Sequence, residues 1–350
     1  MNKILSIIIP TYNMEEFLPL CLESLIIKKG RERLDVLIVN DGSKDNSSNI
    51  AHHYKEKYPD VFRVIDKTNG NYGSCINAAL PHLQGKFVKI LDADDTYDTE
   101  NLQIYIDLLA TINSDLVISD FITVDETGKR RDYHKFKFPS NKEFLFEDID
   151  YKTFLPMHSV TYNTDIFKKI VYHQTEGVSY TDMEWIFHPM SCVNTVFYFK
   201  SVIYKYLIGR NGQTVDFTAR LKRIDNIEKG LLNQIQIMIN IPQENKSYKY
   251  LNNMIEGRIK TIYTMGLLYK NVSYDILSFD NRLKEYPEYY SYAESIMLPD
   301  KILNKEIPFV KMWRRRKSKK QLYKSPLFIM YRLQNRIKRM LKNSTTDLFF

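Results

Sequence analysis

The chain has 350 residues, of which 44% are hydrophobic and 26% are charged, with 12 glycines and 12 prolines. This composition is typical of a globular protein of about two domains and excludes the collagen-like, low-complexity and disordered classes. The net charge is +8, but residues 311–342 contain 13 Lys and Arg and no acidic residue, so the remainder carries 37 basic and 42 acidic residues. Because a domain that binds nucleic acid is expected to spread positive charge over a folded face, this distribution argues against nucleic acid as a partner.

The cysteines and the hydrophobic segments predict a cytoplasmic location. Cys21, Cys75 and Cys192 are odd in number and show no CxxC spacing, which indicates a reducing compartment and neither a disulfide framework nor a zinc site. The apolar stretch 4–10 is too short for a signal-peptide core or a membrane span. No other segment approaches 18 uninterrupted apolar residues.

The first third of the chain alternates β-rich runs with amphipathic segments, which predicts a parallel sheet with crossover helices. The predicted strands are 5–9, 35–39, 62–65, 87–91 and 115–119, and the predicted helices are 15–27, 45–58, 74–84 and one that begins near Thr99 as its N-cap. Residues 126–150 are polar and aromatic without a clear period, so we expect an excursion or flexible loop there. Mixed helix and strand resumes over 151–217, and a helical pattern follows.

The segment from residue 309 onward is a basic tail. Trp313 lies beside a run of basic residues, and apolar residues follow at helical spacing, namely Leu333, Ile337, Met340 and Leu341. A basic amphipathic helix with aromatic anchors suits an anionic bilayer surface, where each cation contributes about 1 kcal/mol. We therefore expect peripheral attachment at the inner face of the cell membrane. The alternatives are a solvated tail, or a helix that packs on the body or on another subunit, which leaves the oligomeric state open.

Polar clusters follow four of the predicted strands, where an open parallel sheet binds its ligands. No GxGxxG follows the first strand and no GxxxxGK[ST] occurs in the chain, so dinucleotide and P-loop sites are excluded. The clusters instead contain the carboxylates of Asp41, Asp92, Asp94 and Asp95. Carboxylates repel a diphosphate unless a divalent cation such as Mg²⁺ or Mn²⁺ lies between them. Asp92 and Asp94 are alternate residues and leave an extended chain on the same side, so we expect them to bind a metal-chelated nucleotide diphosphate.

The four clusters occur in a fixed order as Pro10-Thr11-Tyr12-Asn13, Asp41-Gly42-Ser43-x-Asp45, Asn69-Gly70-x-x-Gly73-Ser74-x-x-Asn77 and Leu91-Asp92-x-Asp94-Asp95. They resemble the successive motifs of the family 2 glycosyltransferases. The resemblance implies the GT-A fold, a Rossmann-like α/β fold with a mostly parallel central sheet flanked by helices, followed by a helical C-terminal region. The implied domains are a catalytic domain at 1–217, with a nucleotide-sugar half at 1–120 and an acceptor half at 121–217, a helical region at 218–308 and the tail at 309–350.

The resemblance also implies roles for individual residues. The donor, a UDP-sugar, would be bound by Pro10, Thr11, Tyr12, Asn13, Asp41, Asn71, Gly73, Asp92, Ala93 and Asp95. Asp94 would coordinate the metal together with Asp92. Asp41 would accept a hydrogen bond from the base, and Asp95 would lie nearer the transferred sugar.

The second half of the resemblance supplies candidates for catalysis. In Ser179-Tyr180-Thr181-Asp182-Met183-Glu184-Trp185, Thr181 replaces the usual Glu, so Asp182 is the implied base and Glu184 its competitor. The structural alternative is that Asp182 caps a helix. Arg210, in a segment that ends at Gly212 and Gln213, would stabilise the leaving diphosphate or form a surface salt bridge. His158 is an acceptor-side candidate, and Tyr12 and Trp185 are the aromatic candidates for stacking.

These residues together predict a metal-dependent, inverting glycosyltransferase. It would transfer a sugar from a UDP-sugar to a hydroxyl of a glycan acceptor, in the synthesis of a cell-surface polysaccharide, and the resemblance adds a lipid-linked acceptor. The rival functions are a nucleotidyltransferase, and a membrane-associated protein that binds nucleotide sugars without turnover. Thr181 and Gln213, which depart from the family pattern, keep the second rival open.

Overall fold

The computed structural model describes residues 2–210, 217–269, 273–300, 305–316, 318, 322–326 and 329. Its strands are β1 Leu5–Thr11, β2 Leu34–Asn40, β3 Phe62–Asp66, β4 Phe87–Ile90, β5 Thr96–Tyr97, β6 Leu116–Val124, β7 Arg130–His134, β8 Glu143–Leu145, β9 Val160–Asn163, β10 Thr195–Leu207, β11 Leu298–Asp300 and β12 Lys305–Ile307. Its helices are α1 Leu18–Glu23, α2 Ser47–Lys57, α3 Asn71–Ala79, α4 Thr99–Thr111, α5 Asp182–Trp185, α6 Phe217–Lys222, α7 Ile224–Ile239, α8 Tyr248–Leu268, α9 Ile276–Leu283, α10 Pro287–Ser295 and α11 Phe309–Arg316. Gly212, Gln213 and the predicted tail helix with Leu333, Ile337, Met340 and Leu341 lie outside the described residues.

The central sheet has the strand order β3-β2-β1-β4-β9-β6-β10-β5. β1 to β4 pair in parallel, as do β6 and β10, whereas β9 is antiparallel to both β4 and β6. β1 and β2 are buried along their whole length, which is why they read as continuous apolar runs. The predicted α/β class with a sheet flanked by helices is confirmed.

The element boundaries differ from the predicted ones where prolines and polar side chains intervene. α1 is shorter than predicted, and Pro19 lies in its first turn, where its missing N–H costs no hydrogen bond. α3 ends at Ala79, and Pro81 follows in a separate 3₁₀ turn because proline cannot continue a helix. The N-cap of α4 is Asp98, whose carboxylate accepts the Asn101 N–H, so the expectation for Thr99 was wrong.

Residues 126–150 contain two further strands, so the prediction of an excursion or loop was wrong for part of this segment. β7 pairs antiparallel with β6, and β8 pairs antiparallel with β10. β7 is almost wholly exposed, so its residues show no apolar alternation that could have predicted the strand.

The chain forms two compact units. The first comprises Met1–Gln213 with Asn233–Leu251, and the second comprises Thr214–Leu232 with Asn252–Phe350. This division differs from the predicted boundary at 217, because 233–251, which includes the end of α7 and the start of α8, groups with the first unit. Every helix within the described residues is too short or too polar to span a lipid bilayer.

The second unit contains the start of the predicted basic tail. In α11, the side chains of Phe309, Val310 and Trp313 are buried. Arg314 of the same helix donates hydrogen bonds to Asp280 Oδ1 and to the Tyr290 carbonyl, both at 2.8 Å. The expectation that Trp313 anchors a membrane surface was therefore wrong, because its ring belongs to the core of this unit.

Candidate active site

The loops after β1, β2 and β3 meet at the carboxyl end of the sheet. Asp41 lies at the centre, because one oxygen of its buried carboxylate accepts the Gly70 N–H at 2.9 Å and the Lys67 ammonium at 2.7 Å. Asn13 connects the first two loops by donating its N–H to Ser43 and accepting the Lys44 N–H. The structure thus brings the first three predicted motifs together.

The remaining donor-side candidates lie at the end of β1, at the start of α3 and in the loop after β4. Pro10 and Thr11 end β1, and the Thr11 side chain is buried, whereas Tyr12 is 42% exposed. Asn71 opens α3 with a φ of 66°, and Ala93 is buried between the two aspartates of the fourth motif. A Cβ on Gly73 would lie 2.4 Å from the Thr175 carbonyl oxygen, so only glycine allows the segment around Thr175 to lie this close to α3.

The fourth loop carries three aspartates in different environments. The Asp92 carboxylate accepts a hydrogen bond from the Tyr72 hydroxyl at 2.7 Å, which connects it to α3. Both oxygens of the buried Asp95 accept hydrogen bonds from β10, one from the Tyr204 hydroxyl at 2.5 Å and one from the Leu207 N–H at 2.7 Å. Asp95 therefore attaches this loop to the neighbouring strand.

Asp94 pairs with Arg210 at the end of β10. Arg210 Nε lies 2.6 Å from Asp94 Oδ2, and their side chains are only 16% and 11% exposed. The Arg210 guanidinium also lies 5.2 Å from the centre of the Phe17 ring. The structure thus brings these two predicted residues into direct contact.

The donor set at this loop fits a divalent cation. One donor atom each from Asp92, Asp95 and His158 lies within 4.8 Å of the other two. Burial, followed by the charge of Asp94, raises the pKa of Asp92 to about 7, so the pocket disfavours its negative charge unless a cation is near. Burial, followed by the charge of Lys89, lowers the pKa of His158 to about 3, so its ring is neutral and able to coordinate a metal. His158 Nδ1 is buried and has no hydrogen-bond partner within the described ranges.

The two predicted base candidates differ in their surroundings. Asp182 is the first residue of α5 and Thr181 occupies the N-cap position, so Asp182 is not the cap that the structural alternative required. The charge of Asp182 contributes to the raised pKa of Asp92, after burial and Asp94, which indicates that the two carboxylates lie near each other. Glu184 is buried, and its carboxylate accepts the Thr175 N–H at 2.8 Å. Of these two residues, Asp182 is the one with a half-buried side chain whose charge acts on Asp92.

Residues 6–171, which include the four loops and His158, match the family model described as Glycosyl transferase family 2. This part of the chain is a family 2 glycosyltransferase domain. The predicted family is thus confirmed.

Relatives and solved structures agree with this assignment. The chain is 34% identical over 143 residues to dolichyl-phosphate beta-glucosyltransferase ALG5A of Trichomonas vaginalis, which covers 38% of this chain and 44% of the relative. It is 32% identical over 139 residues to minor teichoic acid biosynthesis protein GgaB of Bacillus subtilis, which covers 39% and 15%. The chain thus spans less than half the length of these curated relatives. Residues 1–349 of S. aureus TarS, crystallised with UDP-GlcNAc, superimpose with a TM-score of 0.63 at 19% identity over 90% of this chain and 92% of that chain, a likeness that concerns the GT-A fold.

Sequence reasoning missed several residues of the glycosyltransferase domain that hold this site together. Tyr204 is buried, and its hydroxyl accepts the Asp92 N–H and donates to Asp95. Tyr72 occupies a variable position of the third motif, which is defined by its glycines and asparagines, so the motif does not indicate a role for it. Lys89 could have been recognised from the sequence as a residue with a special role, because a lysine within an apolar parallel strand is unusual.

The prediction that Trp185 stacks on a sugar was wrong. The Trp185 side chain is fully buried, and its ring stacks on Phe167 with the ring centres 5.1 Å apart. Tyr162 packs edge-on against the same ring. Trp185 therefore belongs to the core beneath α5.

Proposed function

We propose that this protein is a metal-dependent, inverting glycosyltransferase that moves a sugar from a UDP-sugar to a hydroxyl of a glycan acceptor. The observation that carries the proposal is the meeting of Asp41, the Asp92–Asp95 loop and Asp182 at one edge of the sheet of a family 2 domain. This edge of the sheet thus combines a site for the nucleobase, carboxylates for a cation and a carboxylate that can remove a proton from the acceptor.

The donor lies along the carboxyl ends of β1 to β4. Asp41 has one oxygen engaged by Gly70 and Lys67, and its carboxylate accepts a hydrogen bond from the uracil base. Pro10, Thr11, Tyr12 and Asn13 line the base and ribose, with the half-exposed Tyr12 ring as the stacking surface. Asn71, Gly73 and Ala93 shape the wall along which the diphosphate lies.

Asp94 and Asp92 would hold the cation, and Asp95 and His158, which cluster with Asp92, would offer further donors. Mn²⁺ or Mg²⁺ would supply positive charge there to offset the negative charge that the departing diphosphate gathers. Arg210 is near enough to Asp94 to add a second positive charge at the same position.

Asp182 removes the proton from the acceptor hydroxyl. As the hydroxyl oxygen attacks the anomeric carbon, the bond from that carbon to the diphosphate oxygen breaks, and its electron pair leaves with UDP. Attack opposite the leaving group inverts the anomeric centre. A positioned carboxylate base contributes roughly 10²- to 10⁴-fold to such a step.

The acceptor is a glycan of the cell surface. The chain resembles a protein named for minor teichoic acid biosynthesis, and its fold neighbour TarS binds UDP-GlcNAc. The basic tail, which begins with the exposed Lys311, Arg315 and Arg316, favours anionic lipid near a lipid-linked acceptor at the inner face of the membrane.

The test is release of UDP from a panel of UDP-sugars beginning with UDP-GlcNAc, measured with Mn²⁺ and with a chelator. We expect release from at least one donor, and its loss with the chelator and in Asp94→Ala. UDP release that is unchanged both with the chelator and in Asp94→Ala would contradict the proposed role of the cation. Tight UDP binding without release from any donor, with teichoic acid or lipid-linked acceptors present, would favour the non-catalytic rival. Pyrophosphate formation from UTP and a sugar phosphate would favour a nucleotidyltransferase.

A further inference from the structure

Lys89 is a charged residue within the apolar core of the first unit. It lies in β4 with a side chain that is fully buried, although the strands around it are apolar. A lysine is almost never fully buried unless its ammonium finds partners, because leaving water is costly for a charge. An apolar residue at this position would serve packing alone, so the contacts of the ammonium decide what Lys89 does.

The ammonium of Lys89 holds the turn that carries His158. Lys89 Nζ donates to the His158 carbonyl at 2.7 Å and to the Val160 carbonyl at 3.0 Å. It also lies 5.8 Å from the centre of the Tyr204 ring, which offers it a π face. These contacts satisfy the buried charge, and two of them fix the backbone on either side of Ser159.

The position of Lys89 matters because the backbone ladder stops there. β4 and β9 pair only at Phe87 with Asn163 and at Val88 with Tyr162. From Lys89 onward, β4 runs to the Asp92–Asp95 loop, and the chain before β9 forms the 3₁₀ turn Met157–Ser159. The Lys89 side chain spans the gap between these two segments at the point where backbone hydrogen bonds no longer do.

The segment that Lys89 holds presents His158 to the carboxylates. A ring nitrogen of His158 lies within 4.8 Å of donor oxygens of Asp92 and Asp95. The centre of the His158 ring lies 4.3 Å from that of Tyr206, on which it stacks, and 4.8 Å from that of Tyr204, which it meets edge-on. These neighbours fix the plane of the ring, whereas its distance from the carboxylates depends on the position of the His158 backbone. A shift of the His158 carbonyl would therefore move the ring relative to Asp92.

We propose that Lys89 is a positioning residue, which holds the Met157–Ser159 turn so that His158 completes a cation site with Asp92 and Asp95. This inference rests on the proposed function for the cation itself. Lys89 touches neither donor nor cation and acts through the His158 and Val160 carbonyls. Outer partners that orient metal ligands typically change metal affinity by about 10- to 100-fold when they are removed.

The test is Mn²⁺ binding to the donor-free protein, measured by titration calorimetry. We expect Lys89→Met to weaken Mn²⁺ binding by about tenfold, since methionine replaces the aliphatic part of the lysine side chain and leaves both carbonyls without their donor. Lys89→Gln keeps N–H donors on a shorter side chain and should lose less. If Lys89→Met does not fold, the Mn²⁺ affinity of Lys89→Gln is compared with that of the control variant Tyr105→Phe, and a weaker affinity in Lys89→Gln supports the role of Lys89.

Tyr105→Phe is the matched control. The buried Tyr105 hydroxyl donates to Thr161 Oγ1 at 2.8 Å, so this change removes a hydrogen bond to the same strand without touching the two carbonyls. We expect it to leave Mn²⁺ affinity within about twofold while lowering the free energy of unfolding, since the change leaves the metal donors and their outer partners untouched.

A double-mutant cycle separates positioning from general destabilisation. Because Lys89 acts through His158, Lys89→Met should add little to the loss caused by His158→Ala. Additive losses, or unchanged Mn²⁺ affinity in Lys89→Met, would overturn the role of Lys89 and leave the proposed function intact. If the unaltered protein binds no Mn²⁺, the cation assignment fails, and the role of Lys89 fails with it.

Discussion

Arg210 Nε lies 2.6 Å from Asp94 Oδ2, so the carboxylate proposed to bind a cation is already engaged by a side chain of the chain itself. The pair is largely shielded from solvent, with exposed fractions of 16% and 11%. A charge-assisted hydrogen bond in such surroundings is stronger than a surface ion pair. Under the proposed function, Arg210 and a divalent cation would compete for this oxygen until a diphosphate offered Arg210 another partner.

This competition predicts opposite effects of one substitution on binding and turnover. Arg210→Met should strengthen Mn²⁺ binding to the donor-free protein by roughly fivefold, since releasing the pair is worth about 1 kcal/mol. Turnover should fall, because the leaving diphosphate loses a positive charge. Lys205→Met is the control, since it removes the ion pair of Lys205 with Asp98 from β10, the strand that precedes Arg210. A decrease in Mn²⁺ affinity in Arg210→Met would contradict the competition.

The two acidic residues of α5 should differ in their response to amide substitution. Asp182→Asn should lower kcat by at least about 100-fold, because the amide cannot take the acceptor proton. UDP binding should stay unchanged. Glu184→Gln should keep most of the activity, because its side-chain oxygen still accepts the Thr175 N–H. Turnover by each variant and the Kd for UDP are the measurements, and the reverse pattern would make Glu184 the base.

The Tyr204 hydroxyl predicts a measurable contribution to stability. It accepts the Asp92 N–H at 3.1 Å and donates to Asp95 Oδ2, so Tyr204→Phe leaves both groups without a partner. We expect the free energy of unfolding to fall by about 1–3 kcal/mol in a denaturant titration. Tyr97 packs against the same ring at 5.6 Å and donates only a long 3.4 Å hydrogen bond to Ile90. Tyr97→Phe should therefore lower the free energy of unfolding by less than about 1 kcal/mol. Equal losses in Tyr204→Phe and Tyr97→Phe would argue against a stabilising role of the Tyr204 hydroxyl between Asp92 and Asp95.

Gly73 tests the close approach of the Thr175 segment to α3. Gly73→Ala places a methyl group 2.4 Å from a backbone oxygen, so one of the two segments must move. We expect a loss of about 1–3 kcal/mol in the free energy of unfolding, together with weaker UDP binding. Gly257→Ala in α8 meets no atom within 4 Å and should stabilise the protein by up to about 1 kcal/mol. Unchanged stability in Gly73→Ala would show that the segment can shift freely.

The sequence predicted the parts of the fold and site that depend on local pattern. β1 and β2 were recognisable because strands buried on both faces read as apolar runs, and Asp41 and Asp92 were recognisable because they directly follow such strands. The exposed β7 lacks any apolar alternation, so its pairing with β6 left no signal in the chain.

Contacts between distant segments could not be predicted in the same way. The approach of Arg210 to Asp94 depends on the pairing of β10 with β5, which follows Asp94, and no local pattern encodes this pairing. The same holds for Lys89 and His158, which are 69 residues apart. Trp185 and Trp313 were misinterpreted because an aromatic residue suits a core as well as a ligand or membrane surface, and only its packing distinguishes the two.

The packing of α11 predicts that the basic tail has two parts with different roles. Phe309, Val310 and Trp313 are buried, and Arg314 is paired with Asp280 while its guanidinium stacks 3.6 Å from the centre of the Tyr290 ring. Truncation after Pro308 should therefore destabilise the second unit, whereas truncation after the exposed Pro326, which keeps the buried Leu322 and Ser325, should leave the thermal unfolding midpoint of this unit nearly unchanged.

Two point variants make the same distinction without shortening the chain. Arg314→Met leaves the buried Asp280 without its cation and should cost about 3–5 kcal/mol, whereas the exposed Arg315→Ala should change stability by less than about 0.5 kcal/mol. Sedimentation with anionic vesicles then tests the residues beyond Pro326. If the chain truncated there is stable but no longer sediments, these residues carry the membrane attachment, because the core of the second unit is intact. If it still sediments, the attachment surface lies elsewhere on the protein.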